Sequence, residues 1–182
     1  ESYHAAPGEK VLTIEPGMSF GTGAHGTTQA CLRMLDDLAA TDTAHALLDL
    51  GCGSGILSIA ASLLGFDRVV GIDNDEHAVR IARENAAING VHPRFVVGTL
   101  AAPGERAGIV VANVLASVLI EHAAAVAAAV LPRPGNALLL SGILDEQYGE
   151  VSAAYRALGF VEKHSMIVDG WRSGWFALGE TP

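Results

Sequence analysis

From residue 46 onward the chain alternates short apolar runs with longer segments in which apolar residues return every three or four positions. The runs ALLDLG (46–51), RVVGID (68–73), RFVVGT (94–99), GIVVANVL (108–115) and ALLLSGIL (137–144) have the length and apolar continuity of strands buried on both faces. The segments between them predict helices at about 55–65, 75–90, 116–131 and 145–158. In the second of these, Ala78, Val79, Ala82 and Ala86 follow the helical period and Asn89-Gly90 supplies a stop. Upstream, Cys31, Met34, Leu35 and Leu38 stand at i, i+3, i+4 and i+7, an amphipathic helix beginning near Thr27. Strands alternating with helices predict βα units around a mostly parallel, doubly wound α/β sheet. Near the C-terminus, KHSMIVDG and WFALGE are joined by the turn-rich DGWRSG, which predicts an antiparallel hairpin finishing the sheet, with Trp171 and Trp175 packed in it.

Within this pattern, LLDLGCGSGILSIA reads as strand, glycine turn, helix. Gly51, Gly53 and Gly55 let the backbone turn sharply and let a ligand approach the main chain more closely than a Cβ would allow. Asp49 stands at the strand end. Twenty-two residues after Gly51 the next strand ends in GIDND, which places Asp73, with Asn74 beside it, where a carboxylate accepts the hydroxyl hydrogens of a ribose. Asp75 is free to cap the following helix. A dinucleotide fingerprint, G-x-G-x-x-G/A, fails here: the sixth position is Ile56 counted from Gly51 and Ser58 counted from Gly53. The spacing therefore weakens a dinucleotide reading, with Ser58 a near miss, and leaves it open.

Composition narrows the class. With 182 residues, half of them apolar, the chain suits one domain with a sizeable core, and no apolar stretch has the length of a membrane span. The net charge of −9 opposes tight nucleic-acid binding and favours a basic or neutral partner. Cys31 and Cys52 are too few for a disulfide scaffold, as expected of a reduced cytoplasmic protein. The seven histidines form no HxH or HExxH spacing, so no metal site is expected. Residues 1–14 carry no secretory pattern and read as a linker or a cut end, which leaves 15–182 as the domain, expected to be monomeric.

The arrangement D-x-G-x-G-x-G at 49–55 resembles the first motif of class I S-adenosylmethionine-dependent methyltransferases. Taken with PGMSFGTGAHGTT (16–28), VVGIDNDEHAVRIARENAAINGV, VVANVL and LLLSGIL, the chain from about residue 15 resembles the bacterial methyltransferases of ribosomal large-subunit protein eleven. That resemblance implies a Rossmann-like, seven-stranded doubly wound sheet and N-methylation of lysine side chains and an α-amino group of that ribosomal protein. It further implies that Phe20, Gly21 and Thr28 enclose the cofactor, that Gly51 and its neighbours (Asp49, Gly53, Gly55) face its methionine part, and that Asp73 and Asn74 take the ribose. Asn113 would face the transferable methyl group. The stretch at 16–28 then acts as a lid, with Phe20 excluding water and His25 a strut or a ligand contact.

Three departures qualify the resemblance. Gly26 stands where the family has a proline, which is expected to loosen the loop. The third strand ends in VVGTL without the acid that many class I enzymes place near adenine, so Thr99 or a backbone group is expected there. Nothing corresponds to the family's N-terminal recognition domain. Two alternatives therefore stay open beside the protein N-methyltransferase: an enzyme acting on a small amine or another protein, and a cofactor-binding module without transfer activity. For the transfer itself, the Asn113 side-chain oxygen and the Val114 carbonyl are expected to accept hydrogen bonds from the amine and aim its lone pair, because in-line displacement rewards alignment more than base strength.

Overall fold

A computed structural model of the chain describes residues 6, 8–15, 23–41, 46–133 and 135–179. The strands are β1 (Leu47–Leu50), β2 (Val69–Asp73), β3 (Arg94–Val97), β4 (Ile109–Asn113), β5 (Ala137–Leu144), β6 (Phe160–Val168) and β7 (Trp171–Leu178). They form one seven-stranded sheet in the order β3-β2-β1-β4-β5-β7-β6. The pairs β3-β2, β2-β1, β1-β4 and β4-β5 are parallel, and β7 runs antiparallel to both β5 and β6. The predicted doubly wound sheet with a C-terminal hairpin is the observed one. Its order reverses between β1 and β4, which opens a crevice at the C-terminal ends of those strands.

Strand alternation divides the core into two faces. Leu48, Leu50, Val110, Ala112, Leu138 and Leu140 pack under α4 (Ala116–Glu121), α5 (Ala123–Ala129) and α6 (Tyr148–Ala157). On the other face Leu47, Val69, Ile109, Val111 and Leu139 meet α1 (Gly26–Ala39) and α2 (Ile56–Leu64). On α3 (Glu76–Ile88), Val79, Ala82 and Ala86 join Ile59 and Phe95 on that side. The helices stop where their chemistry dictates. Gly65, at φ +95°, ends α2, and Gly90, at φ +65°, follows α3, with the next N–H in each case turning back onto the helix. Asp75 caps α3 by accepting from His77 N at 2.8 Å. Leu12 and Ile14, at the end of the stretch read as a linker, pack against this face, and Asn89 exchanges two hydrogen bonds with the Thr13 backbone.

Three expected boundaries move. The helix predicted over 116–131 is broken at His122, whose ψ of 16° leaves helical geometry although no glycine or proline marks the place. The helix predicted from 145 opens with a 3-10 turn, Asp145–Gln147, before α6. The hairpin turn is only Asp169-Gly170, both at positive φ (51° and 80°), the signature of a two-residue type I′ turn, so Trp171 and Arg172 already pair in β7.

Candidate functional site

The switch-point crevice is a cleft of about 1020 Å³. Its floor is the glycine turn after β1. Gly51 N and Cys52 N both donate to the Ile72 carbonyl, at 2.8 and 3.0 Å, so the turn is tied to the neighbouring strand. Asp73, at the end of β2, closes the clamp: its Oδ2 accepts from Gly53 N at 2.9 Å and its Oδ1 from Asp75 N at 3.0 Å. Gly51 has φ +75°, and a Cβ there would meet Val114 Cγ1 at 2.5 Å, so glycine is required for the turn to pass beneath the β4 end. Gly53 also lines the cleft. Gly55 is not among the lining residues: a Cβ there would strike Ala82 and Phe95 at 2.8 and 2.9 Å, so glycine at this position lets α2 pack against α3 and β3. Cys52 is buried filler beside the turn, and burial pushes its thiol up, keeping it neutral.

Asp49 is the most constrained polar group of the cleft lining. It is buried beneath the turn, and its Oδ2 accepts from Ser58 N and Ser58 Oγ at 3.1 and 2.7 Å. Its Oδ1 is buried with no hydrogen-bond partner among the described residues. Burial raises the carboxyl from 3.8 to about 7; the Ser58 bonds oppose this rise and the nearby Asp73 charge adds to it. A buried carboxylate with an unsatisfied oxygen beside a cleft is suited to a cation or an N–H donor brought by a ligand.

Asn113 and Val114 emerge at the C-terminal end of β4, where both line the cleft. Asn113 makes no side-chain hydrogen bond to another described residue, and Val114 N donates to Ser141 O at 3.2 Å. Asp73, Asn74, Thr99 and Leu100 line the side of β2 and β3, where Thr99 pairs with Ala102 in an isolated bridge.

The opposite wall is the start of α1. Thr28, buried, lines the cleft, and His25 caps the helix: its Nδ1 accepts from Thr27 N at 3.4 Å and lies 2.8 Å from Thr27 Oγ1. His25 thus is a strut that also faces the cleft. Phe20 and Gly21, expected in the lid, lie outside the described residues. Gly26 does not loosen this wall. It is buried, and a Cβ there would meet the Val168 carbonyl at 2.6 Å, so the missing side chain lets the hairpin press against the helix start.

Sequence reasoning missed several cleft residues, Trp171, His122 and Gly142 among them. Trp171, expected only to pack the hairpin, lines the cleft with its ring 4.9 Å from that of His25, edge to face. His122 enters at the break between α4 and α5. Gly142 sits at a register shift in β5 with φ +82°, where any Cβ would collide with the Val114 carbonyl. A glycine inside an apolar strand was the available signal for that close approach. Beneath them, Ser141 Oγ donates to Thr27 O at 3.2 Å and lies 2.6 Å from Ser173 Oγ, which ties β5 to the α1 wall and to β7. Among the described residues no group of three His, Cys, Asp or Glu side chains could hold a metal ion.

Residues 1–177 match the family described as ribosomal protein L11 methyltransferase (PrmA). The chain belongs to that family. It is 49% identical over 176 residues to the ribosomal protein L11 methyltransferase of Azotobacter vinelandii, covering 93% of this chain and 58% of the relative. The Geobacter metallireducens member is 43% identical over 181 residues, covering 100% of this chain and 54% of the relative. The chain thus spans a little over half the length of these curated relatives. Among solved structures, ribosomal protein L11 methylase from Lactobacillus delbrueckii subsp. bulgaricus superposes with a TM-score of 0.84 at 24% identity, over 99% of this chain and 91% of that one, which shows the shared fold.

Proposed function

We propose that this chain is an S-adenosylmethionine-dependent N-methyltransferase domain acting on amino groups, lysine side chains or an α-amino group, of a ribosomal large-subunit protein. The carrying observation is the convergence, in one switch-point cleft, of the buried Asp49 carboxylate, the glycine turn clamped by Asp73, and the Asn113 side chain, which has no hydrogen-bond partner among the described residues. The relatives' names point to ribosomal protein L11 as the substrate.

The residues present fit the cofactor. Asp49, beneath the turn, offers negative charge to the ammonium of an amino-acid moiety, and Gly51 and Gly53 leave the main chain uncovered beside it. Asp73 and Asn74 stand where ribose hydroxyls donate, with the Asp73 carboxylate held in place by two backbone N–H groups. Leu100, Ala101 and Thr99 form the adenine side, and Thr28 with His25 closes the other end. When bound, S-adenosylmethionine supplies a methyl group on a sulfonium, open to in-line displacement by a neutral amine.

The chain's own task is to present that amine. A lysine of pKa about 10.4 is protonated at pH 7, and exposing its lone pair costs roughly 4.6 kcal/mol at about 1.36 kcal/mol per pH unit. Desolvation in the cleft lowers that cost. The Asn113 Oδ1 and the Val114 carbonyl accept the two N–H hydrogens of the neutral amine and orient its lone pair, a positioning role that needs no strong base. Gly142 keeps the Val114 carbonyl uncovered for this purpose.

Among the described residues no helix is long and apolar enough to cross a membrane, and the net charge of −9 disfavours direct nucleic-acid contact. The test is incubation with methyl-labelled S-adenosylmethionine and purified ribosomal protein L11, beside calorimetry with S-adenosylhomocysteine. Label on L11 amino groups is expected; homocysteine-product binding without label on L11 would leave the substrate assignment wrong, and absence of both would end the methyltransferase reading.

A further inference from the structure

Helix α4 has two lined sides. Leu115, Val118 and His122, three and four residues apart, face the cleft. Ser117, Ile120 and Glu121 are exposed and, with the mostly buried Ala116, line a second hollow of about 380 Å³ between α4 and the start of α6, where Gln147 and Glu150 complete the lining. Large apolar groups are left exposed on this helix: Leu115 is 65% and Ile120 39% accessible. No cationic side chain lines the hollow, and the charged groups in it are Glu121 and Glu150, both exposed. Just before α6 the 3-10 turn adds Glu146 and Asp145, the latter 3.3 Å from Arg172 Nε.

We infer that this hollow is the docking surface for a basic, lysine-bearing segment of the protein substrate, seated on Ser117 and Ile120 with its cations against Glu121 and Glu150. The inference rests on the methyltransferase reading and adds where the substrate chain lies. Complementarity decides the occupant: a partly apolar floor with acidic edges on a chain of net charge −9 selects a cationic polypeptide over nucleic acid or another copy of this acidic chain. Position supports it. Leu115 and Ala116 follow Asn113 by two and three residues, so the near edge of the hollow is at most about 11 Å of extended chain from the Asn113 backbone. The four-carbon stem of a lysine can cover much of that span and deliver its amine over the helix N-terminus into the cleft.

The test measures binding of purified ribosomal protein L11 to the intact chain, with S-adenosylhomocysteine present, by fluorescence anisotropy. E121K/E150K is expected to raise Kd at least tenfold, and Ile120→Ser at least threefold, while calorimetry shows S-adenosylhomocysteine affinity within twofold of the unmodified chain. D36K/D37K makes the same change in net charge at exposed sites on α1, across the sheet, and is expected to leave the Kd within threefold. Unchanged Kd in E121K/E150K, equal weakening in D36K/D37K, or no L11 binding by the unmodified chain would each overturn the docking surface. Cofactor calorimetry and methyl incorporation judge the catalytic reading separately, so labelling of L11 with unaltered kinetics in E121K/E150K would remove the docking surface and leave the enzyme.

Discussion

Replacing Asp49 by Asn keeps the shape beneath the glycine turn and removes the charge. In the folded chain this carboxyl is raised from 3.8 to about 7, so between those values the native state holds a proton that the unfolded state has released. Stability therefore falls as pH rises from about 4 to about 7 and stays at the lower level above that. The difference of about three pH units corresponds to roughly 4 kcal/mol at about 1.36 kcal/mol per unit, an upper bound on what Asp49→Asn regains at pH 8. Below pH 4 the variant gains nothing by this route. Thermal melts at pH 5 and pH 8 are the assay: the variant's Tm should exceed that of the unmodified chain at pH 8 and approach it at the lower pH.

Ligand binding should move in the opposite direction. A unit cation about 5 Å from the carboxylate, at an effective dielectric of about 20, interacts by roughly 3 kcal/mol. Loss of the charge should then weaken S-adenosylhomocysteine by about a hundredfold, and by about half as much near pH 7, where half-protonation of Asp49 already costs the unmodified chain a factor of about two. In the unmodified chain, binding at pH 7 should release up to about half a proton as the ligand's ammonium draws Asp49 into its ionised form, a release visible by calorimetry in buffers of different ionisation enthalpy and absent from the variant. A variant that is more stable at pH 8 and binds less tightly meets the argument. Equal affinity in Asp49→Asn, or no difference in proton release, would show that the ligand's cation lies elsewhere.

Other substitutions separate alignment from binding and packing from looseness. Asn113→Ala should lower kcat for amine methylation at least a hundredfold with S-adenosylhomocysteine affinity within threefold, measured by methyl incorporation and calorimetry; retained turnover would remove its positioning role. Gly142→Ala combines a left-handed φ, costing about 1–2 kcal/mol, with a collision at the Val114 carbonyl costing about 1–3 kcal/mol more, and should show both a lower urea midpoint and a lower kcat. Gly26→Ala, if glycine loosened the loop, would stabilise the chain; the close Val168 carbonyl instead predicts a loss of about 1–3 kcal/mol by urea melts.

The contrast between Gly51 and Gly142 shows what the sequence could and could not reveal. Gly51 stands in a local pattern, strand end, turn and helix start within ten residues, and its acid partner Asp73 closes the very next βα unit. Both positions follow from the period and from the adjacency of consecutive parallel strands, which is why the sheet, the turn and the cap supplied by Asp75 were legible. Gly142, His122 and Trp171 reach the same cleft from β5, the α4–α5 break and β7, whose places are set by how the chain crosses the sheet. No window along the sequence says which neighbours those places bring, even where the glycine inside the β5 run marks a close approach. Gly26 makes the same point in reverse: its local reading was freedom, and the contact that constrains it comes from Val168, 142 residues further along the chain (168 − 26). The α1 wall is consequently fixed from behind by the hairpin turn and by the Ser141–Ser173 pair, so a ligand entering the cleft meets a helix start already in position.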